Sequence, residues 1–146
     1  MKSNLVNLTG ALNGAFQGNT INKISNCCCI NLIADNIIFV NNKYLLYDPL
    51  EGIFTTKSSG VYKFRILFKC NNFSNRGSYV KLALISLKNG IIAHTDNILK
   101  DNLDMSLEID LKANIDDKYK VIILLSNKRN IAYEGSIYVD YSLNSI

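Results

Sequence analysis

Apolar and polar positions alternate with a period of two along most of the chain beyond residue 26. The clearest case is the stretch 61–70, where Tyr62, Phe64, Ile66, Phe68 and Cys70 fall on one face and Lys63, Arg65 and Lys69 on the other. One face of such a strand is buried and the other is wet. The same reading predicts strands over 28–33, 36–40, 44–47, 53–55, 61–70, 79–88, 91–95, 105–111, 120–125 and 136–143. The separators are turn-prone: Asn42-Lys43, Asn71-Asn72, Asn89-Gly90, Asp116-Asp117 and the stretch 127–130. Asn89-Gly90, between LALISLK and IIAHT, predicts a hairpin with a type I′ turn. No helix longer than one or two turns is suggested.

About ten short strands in about 120 residues predict an all-β chain, an antiparallel sandwich or barrel, with a jelly roll the commonest use of so many strands. Residues 1–25 pattern differently. Gly10, Gly14 and Gly18 recur every four residues beside Leu5, Leu8, Leu12 and Phe16, which is either a small-residue helical stripe or a Gly/Asn-rich loop or arm. The expected organisation is an N-terminal arm or oligomerisation segment over 1–25 and a β domain over 26–146. The runs LALISL and VIILL are apolar on both faces, so their outer faces are expected to be covered by another copy of the chain.

The stretch YDPLEGIFTTKSSGVYKF, 47–64, is spelled with unusual care. Pro49 presets φ early in a turn, Gly52 is free to leave it with a positive φ, and Ser58-Ser59-Gly60 marks a second turn before the long strand. This block closely resembles the signature region of the complement globular-head domains, which share a ten-stranded jelly roll with the tumour necrosis factors and assemble as homotrimers. KLALISLKNGIIAHTD is similar to that family's strand, Lys-Asn-Gly hairpin and return strand. LDMSLEIDLKANIDDKYKVIILL resembles its paired strands, and YEGSIYVDYSL its closing strand, although Tyr138-Val139-Asp140-Tyr141 replaces the usual Phe-Ser-Gly-Phe ending. The resemblance implies a ten-stranded jelly roll that trimerises, with Tyr47, Phe54, Tyr62, Phe64, Phe68, Leu82, Leu84, Ile123, Tyr138 and Tyr141 in core or trimer packing.

Composition supports a globular chain. The 146 residues are 48% hydrophobic and 19% charged, enough for one domain with a core of its own. A net charge of +4 with scattered lysines gives no footprint for nucleic acid. No apolar stretch approaches the roughly 18 residues of a membrane span, and no signal peptide is visible at the N-terminus. The abundance of Asn, Ile, Lys and Tyr points to an AT-rich genome, such as that of a low-GC bacterium, a phage or a large virus.

Candidate chemistry is sparse. His94 is the single histidine, and no nucleophile elbow, phosphate cradle or dinucleotide fingerprint is present, so a non-enzyme is expected. Cys27-Cys28-Cys29 is a poor ligand set, because neighbours in a strand point to opposite faces. Asp96, Asp101, Asp104, Asp116, Asp117 and Glu134 are oxygen donors for a hard cation such as calcium, or simply solvated turn carboxylates. No other cofactor is expected. Lys63, Arg65 and Lys69, with Lys81, suggest a basic stripe for an anionic glycan or membrane surface, or charges that only solvate the outer face. Arg76, Lys128 and Arg129 extend the candidate binding surface into the loops. The combined expectation is a noncatalytic homotrimer, without membrane insertion, that binds a cell-surface protein or glycan on a virion fibre or cell surface. A structural trimerisation or capping module is the alternative, and a secreted TNF-like ligand a third.

Overall fold

The computed structural model describes residues 14–71, 78–127 and 130–143. Among these described residues eleven strands run in chain order: β1 Gly14–Asn26, β2 Cys29–Asn31, β3 Asn36–Val40, β4 Leu45–Asp48, β5 Ile53–Thr56, β6 Gly60–Asn71, β7 Tyr79–Ser86, β8 Gly90–Ile98, β9 Leu103–Ala113, β10 Lys118–Leu125 and β11 Asn130–Ser142. They form two antiparallel sheets. One has the order β3-β1-β11-β6-β9; the other has the order β4-β5-β10-β7-β8, with β2 added on β10. The chain is all-β, and its strands cross repeatedly between the layers as in a jelly roll.

The period-two pattern drives this arrangement. In β6, Tyr62, Phe64, Ile66, Phe68 and Cys70 are buried between the sheets, while Lys63, Arg65, Leu67 and Lys69 face water. From the opposite sheet, Phe54, Leu82, Leu84 and Ile123 meet them with no exposed surface. Phe54 packs edge-on against both Phe16 and Phe64, at 4.8 and 5.5 Å between ring centroids, an arrangement that suits the ring quadrupoles.

The block 47–64 is tied together by tyrosines. After β4 the Asp48 carbonyl accepts from the Gly52 amide at 2.7 Å, and the Asp48 carboxylate accepts from the Leu50 amide at 2.9 Å, so the Asp-Pro turn is locked from inside. Gly52 leaves it at φ 71°, where a side chain is strained. The Tyr62 hydroxyl lies 2.7 Å from the Ser58 carbonyl and 2.8 Å from that of Tyr44, and the Tyr141 hydroxyl donates to the Ser59 carbonyl at 2.7 Å. Gly60 sits under this clasp. A Cβ there would lie 2.6 Å from the Tyr141 ring and 2.7 Å from the Ser142 carbonyl oxygen.

Three expectations are corrected. Residues 14–25 are neither helix nor separate arm, because β1 lies inside the five-stranded sheet between β3 and β11; residues 1–13 lie outside the described residues. Apart from Phe16, its inward positions carry small groups. Gly18 leaves room for Ala34 and the Phe16 ring, and the Thr20 hydroxyl donates to the Ile33 carbonyl at 2.9 Å, so the strand carries little hydrophobic signal. The β7–β8 hairpin is not a type I′ turn. Ser86 pairs with Gly90 across the loop residues Leu87, Lys88 and Asn89, only Gly90 takes a positive φ (84°), and the Ser86 hydroxyl accepts from the Lys88 and Asn89 amides. Finally, the strand expected over 28–33 shortens to β2, and those expected from 105 and 136 begin earlier, at Leu103 and Asn130.

Candidate binding surfaces

Register across the five-stranded sheet places the basic residues of β6 between two acidic columns. Lys63 lies opposite Asp140 of β11 and Asp110 of β9; Lys69 lies opposite Glu134 and Asp104; Arg65 lies opposite Tyr138 and Glu108. The Arg65 guanidinium sits 4.6 Å from the centre of the Tyr138 ring, a cation–π contact. Partial burial holds the Asp140 carboxyl above the usual carboxylate range, against the downward pull of Arg65 and Lys63. With three cations facing five carboxylates, the expected basic stripe is an acid-rich mixed-charge ladder rather than an anion-binding patch. Lys81 does not join it, because β7 belongs to the other sheet, where Lys81 faces Asp96 of β8.

The remaining expected residues separate by location. Phe54, Tyr62, Phe64, Phe68, Leu82, Leu84, Ile123 and Tyr141 are buried within one subunit. Tyr47 is half-buried, with its hydroxyl accepting from the Ala34 amide at 2.7 Å. Tyr138 faces outward under Arg65. Arg76, Lys128 and Arg129 lie outside the described residues.

The doubly apolar runs are covered more fully within one chain than their sequence suggests. Ala83 and Ile122 are cross-strand partners on the outer face of the six-stranded sheet and are already buried by their neighbours. Bare apolar surface concentrates on β3 instead, where Ile37, Ile38 and Phe39 are 37%, 51% and 46% exposed on an edge strand. Ile21 and Ile24 extend it along β1, and Leu67 adds to it on the sheet face. Two clefts of about 640 and 400 Å³ open on the same sheet and share Asn22, Lys69 and Glu134 in their walls. An edge strand with this much bare apolar surface is an association site. Nothing in the sequence pattern singled it out, since IIFV reads equally well as a core strand.

A third depression, about 240 Å³, lies on the outer face of the six-stranded sheet and is lined by Tyr79, Lys81, Asp96, Leu124 and Ser126 among others. His94 is exposed nearby, its Nδ1 3.1 Å from the Asp96 carboxylate.

Among the described residues, no three His, Cys, Asp or Glu side chains converge on a metal-sized point. Asp117 closes a loop: its carboxylate accepts from the Asn114 amide at 2.9 Å and from the Tyr119 hydroxyl at 3.3 Å. Cys70 is buried, and that burial pushes its thiol up to about 11, whereas Cys28 and Cys29 are exposed. No disulfide joins the described cysteines.

Neither a family model nor a curated relative matches the chain. Solved structures do. The globular domain of the zebrafish complement 1qA protein aligns with a TM-score of 0.57 at 18% identity, covering 84% of this chain and 94% of its own. Murine APRIL at pH 8.5 aligns at 0.59 with 9% identity, covering 87% and 98%. Eiger TNF from S. frugiperda aligns at 0.58 with 8% identity, covering 90% and 96%. The two sheets thus have the jelly-roll fold of the complement globular domain and of the TNF proteins, and the chain spans nearly the whole of each.

Proposed function

We propose that the chain is a noncatalytic binding module that works as a homotrimer, displayed outside the cell or on a particle as the head of a virion fibre or a surface adhesin. The observation that carries this reading is β3. Three consecutive large apolar residues lie partly bare on a sheet edge beside a mixed-charge face, and burying them against sister subunits removes apolar surface worth roughly 25 cal/mol per Å². The fold shared with the complement globular domain and APRIL supports it. Threefold copies raise avidity for a repetitive ligand without any new contact.

Light scattering on the purified chain tests the assembly, with a mass of three subunits expected; a single-subunit mass overturns the trimer. Saturable binding of that trimer to cells or to immobilised surface components tests the rest. A trimer that binds nothing favours a capping role in a larger particle. A trimer that binds only one protein receptor favours a TNF-like ligand.

A further inference from the structure

The depression on the six-stranded sheet has a chemistry distinct from the rest of the surface. Tyr79 begins β7 and is 64% exposed, directly opposite Ile98 of β8, which is 50% exposed. A large aromatic ring left this bare, with Leu124 beside it, forms an apolar platform rather than a solvated face. The rim is polar. Lys81 and Asp96 are cross-strand partners, so the lining carries both signs and no net charge. The Ser126 hydroxyl accepts from the Tyr79 amide at 2.9 Å and keeps its own hydrogen to donate.

Size, charge and backbone decide which ligand suits this place. At about 240 Å³ the depression is smaller than the roughly 300–1,000 Å³ of a drug-sized pocket, and it takes one ring rather than a nucleotide or an extended chain. The balanced rim favours neither an anion nor a cation. The floor gives a peptide no edge to extend, because β7 is paired on both sides, with β10 and β8. A neutral sugar ring fits all three conditions. Its C–H face lies on Tyr79, and its hydroxyls, each both donor and acceptor, meet the ammonium, the carboxylate and the serine.

We propose that the Tyr79 depression is a subsite for one neutral pyranose of a surface glycan, held by stacking on the Tyr79 ring and by hydrogen bonds to Lys81, Asp96 and Ser126. The proposal rests on the reading of the chain as a binding module. It also separates the two sheets by task, with assembly on the β3 side and recognition on the β7–β8 side. A single-ring subsite is weak by itself, and repetition over three subunits compensates.

The test uses the full chain on an array of neutral and charged glycans, followed by solution titration of the best neutral sugar with methyl-labelled protein. Neutral glycans are expected to bind, with shifts at Leu124 and Ile98 methyls. Tyr79→Ala is expected to weaken binding at least tenfold, Tyr79→Phe less than threefold, and Asp96→Asn several-fold, while Glu134→Gln on the other sheet changes nothing. Because Tyr79 and Asp96 are exposed, these variants are expected to keep the wild-type circular dichroism and mass. Absence of any glycan binding, or a glycan bound equally well by Tyr79→Ala, overturns the subsite. Saturable binding to a protein under those conditions leaves the binding-module reading standing, whereas a chain that binds no surface at all overturns both.

Discussion

Replacing Tyr62 with Phe gives a stability deficit that shrinks as pH rises, and its size can be worked from the structure. The ring is fully buried, and its hydroxyl reaches the carbonyls of Ser58 and Tyr44 at 2.7 and 2.8 Å. At neutral pH the loss of that donor leaves the Ser58 carbonyl short of a partner, while the Tyr44 carbonyl keeps the Lys57 amide, and costs about 1–3 kcal/mol. Burial also pushes the hydroxyl from its ordinary 10.0 up to about 12. The folded state therefore keeps a proton that the unfolded chain releases above pH 10. This contribution to stability is complete below pH 10 and is lost as pH rises to 12; two units correspond to about 3 kcal/mol. A phenylalanine at this position has no proton to lose. The variant's deficit is accordingly largest at pH 7 to 9 and closes between pH 10 and 12. Tyr119, also pushed up to about 12 by burial and by Asp117, titrates in both proteins, and only its smaller coupling to Tyr62 differs between the two curves. Urea unfolding followed by circular dichroism, at one fixed subunit concentration so that assembly contributes equally, measures both curves. A deficit that stays constant from pH 7 to 12 refutes the assignment of the raised value to the Tyr62 clasp.

Other substitutions address other parts of the molecule. Gly60→Ala drives a methyl into the Tyr141 ring and the Ser142 carbonyl, and is expected to cost about 1–3 kcal/mol, read as a fall in melting temperature. Ile38→Lys places a charge on the bare β3 edge; light scattering is expected to show the three-subunit mass falling to one, and an unchanged trimer removes β3 from the interface. A thiol-reactive disulfide reagent at pH 8 is expected to label Cys28 and Cys29 quickly. Cys70, buried and poorly ionised with its thiol pushed up to about 11, is expected to react only on unfolding. Lys23→Ala breaks a half-exposed ion pair with Asp35, 2.7 Å long, and is expected to cost less than about 1 kcal/mol by the same urea assay.

What the sequence displayed and what it hid follow from which groups fill the inward positions. β6 shows itself because five large apolar or sulfur-bearing side chains occupy alternate sites, and the turn chemistry of Asp48, Pro49 and Gly52 is local and complete. β1 is concealed because, beyond Phe16, Gly18 and Thr20 do the inward work: one by leaving space for Ala34, the other by satisfying the Ile33 carbonyl. The start of β11 is hidden for a similar reason. Gly135, which reads as a turn residue, is the point where Leu32 packs within 3.0 Å of the place a Cβ would take. The charge ladder was invisible because it depends on register: Lys63, Arg65 and Lys69 are legible as one face, but their partners Asp140, Glu134, Asp110 and Asp104 come from strands far along the chain. Tyr79 carried no signal either, since an aromatic at the start of a strand usually belongs to the core.

The pairing of β1 with β11 sets Gly14 against Asp140 at one end of the sandwich and Asn26 against Asn130 at the other. Tyr79 and Ser126 lie at the second end, joined there by a hydrogen bond. The first residue of β1 and the last of β11 thus lie at the pole opposite the Tyr79 depression. A crosslink made at either of those strand ends holds the chain on a sensor chip or a bead with that depression facing away from the support.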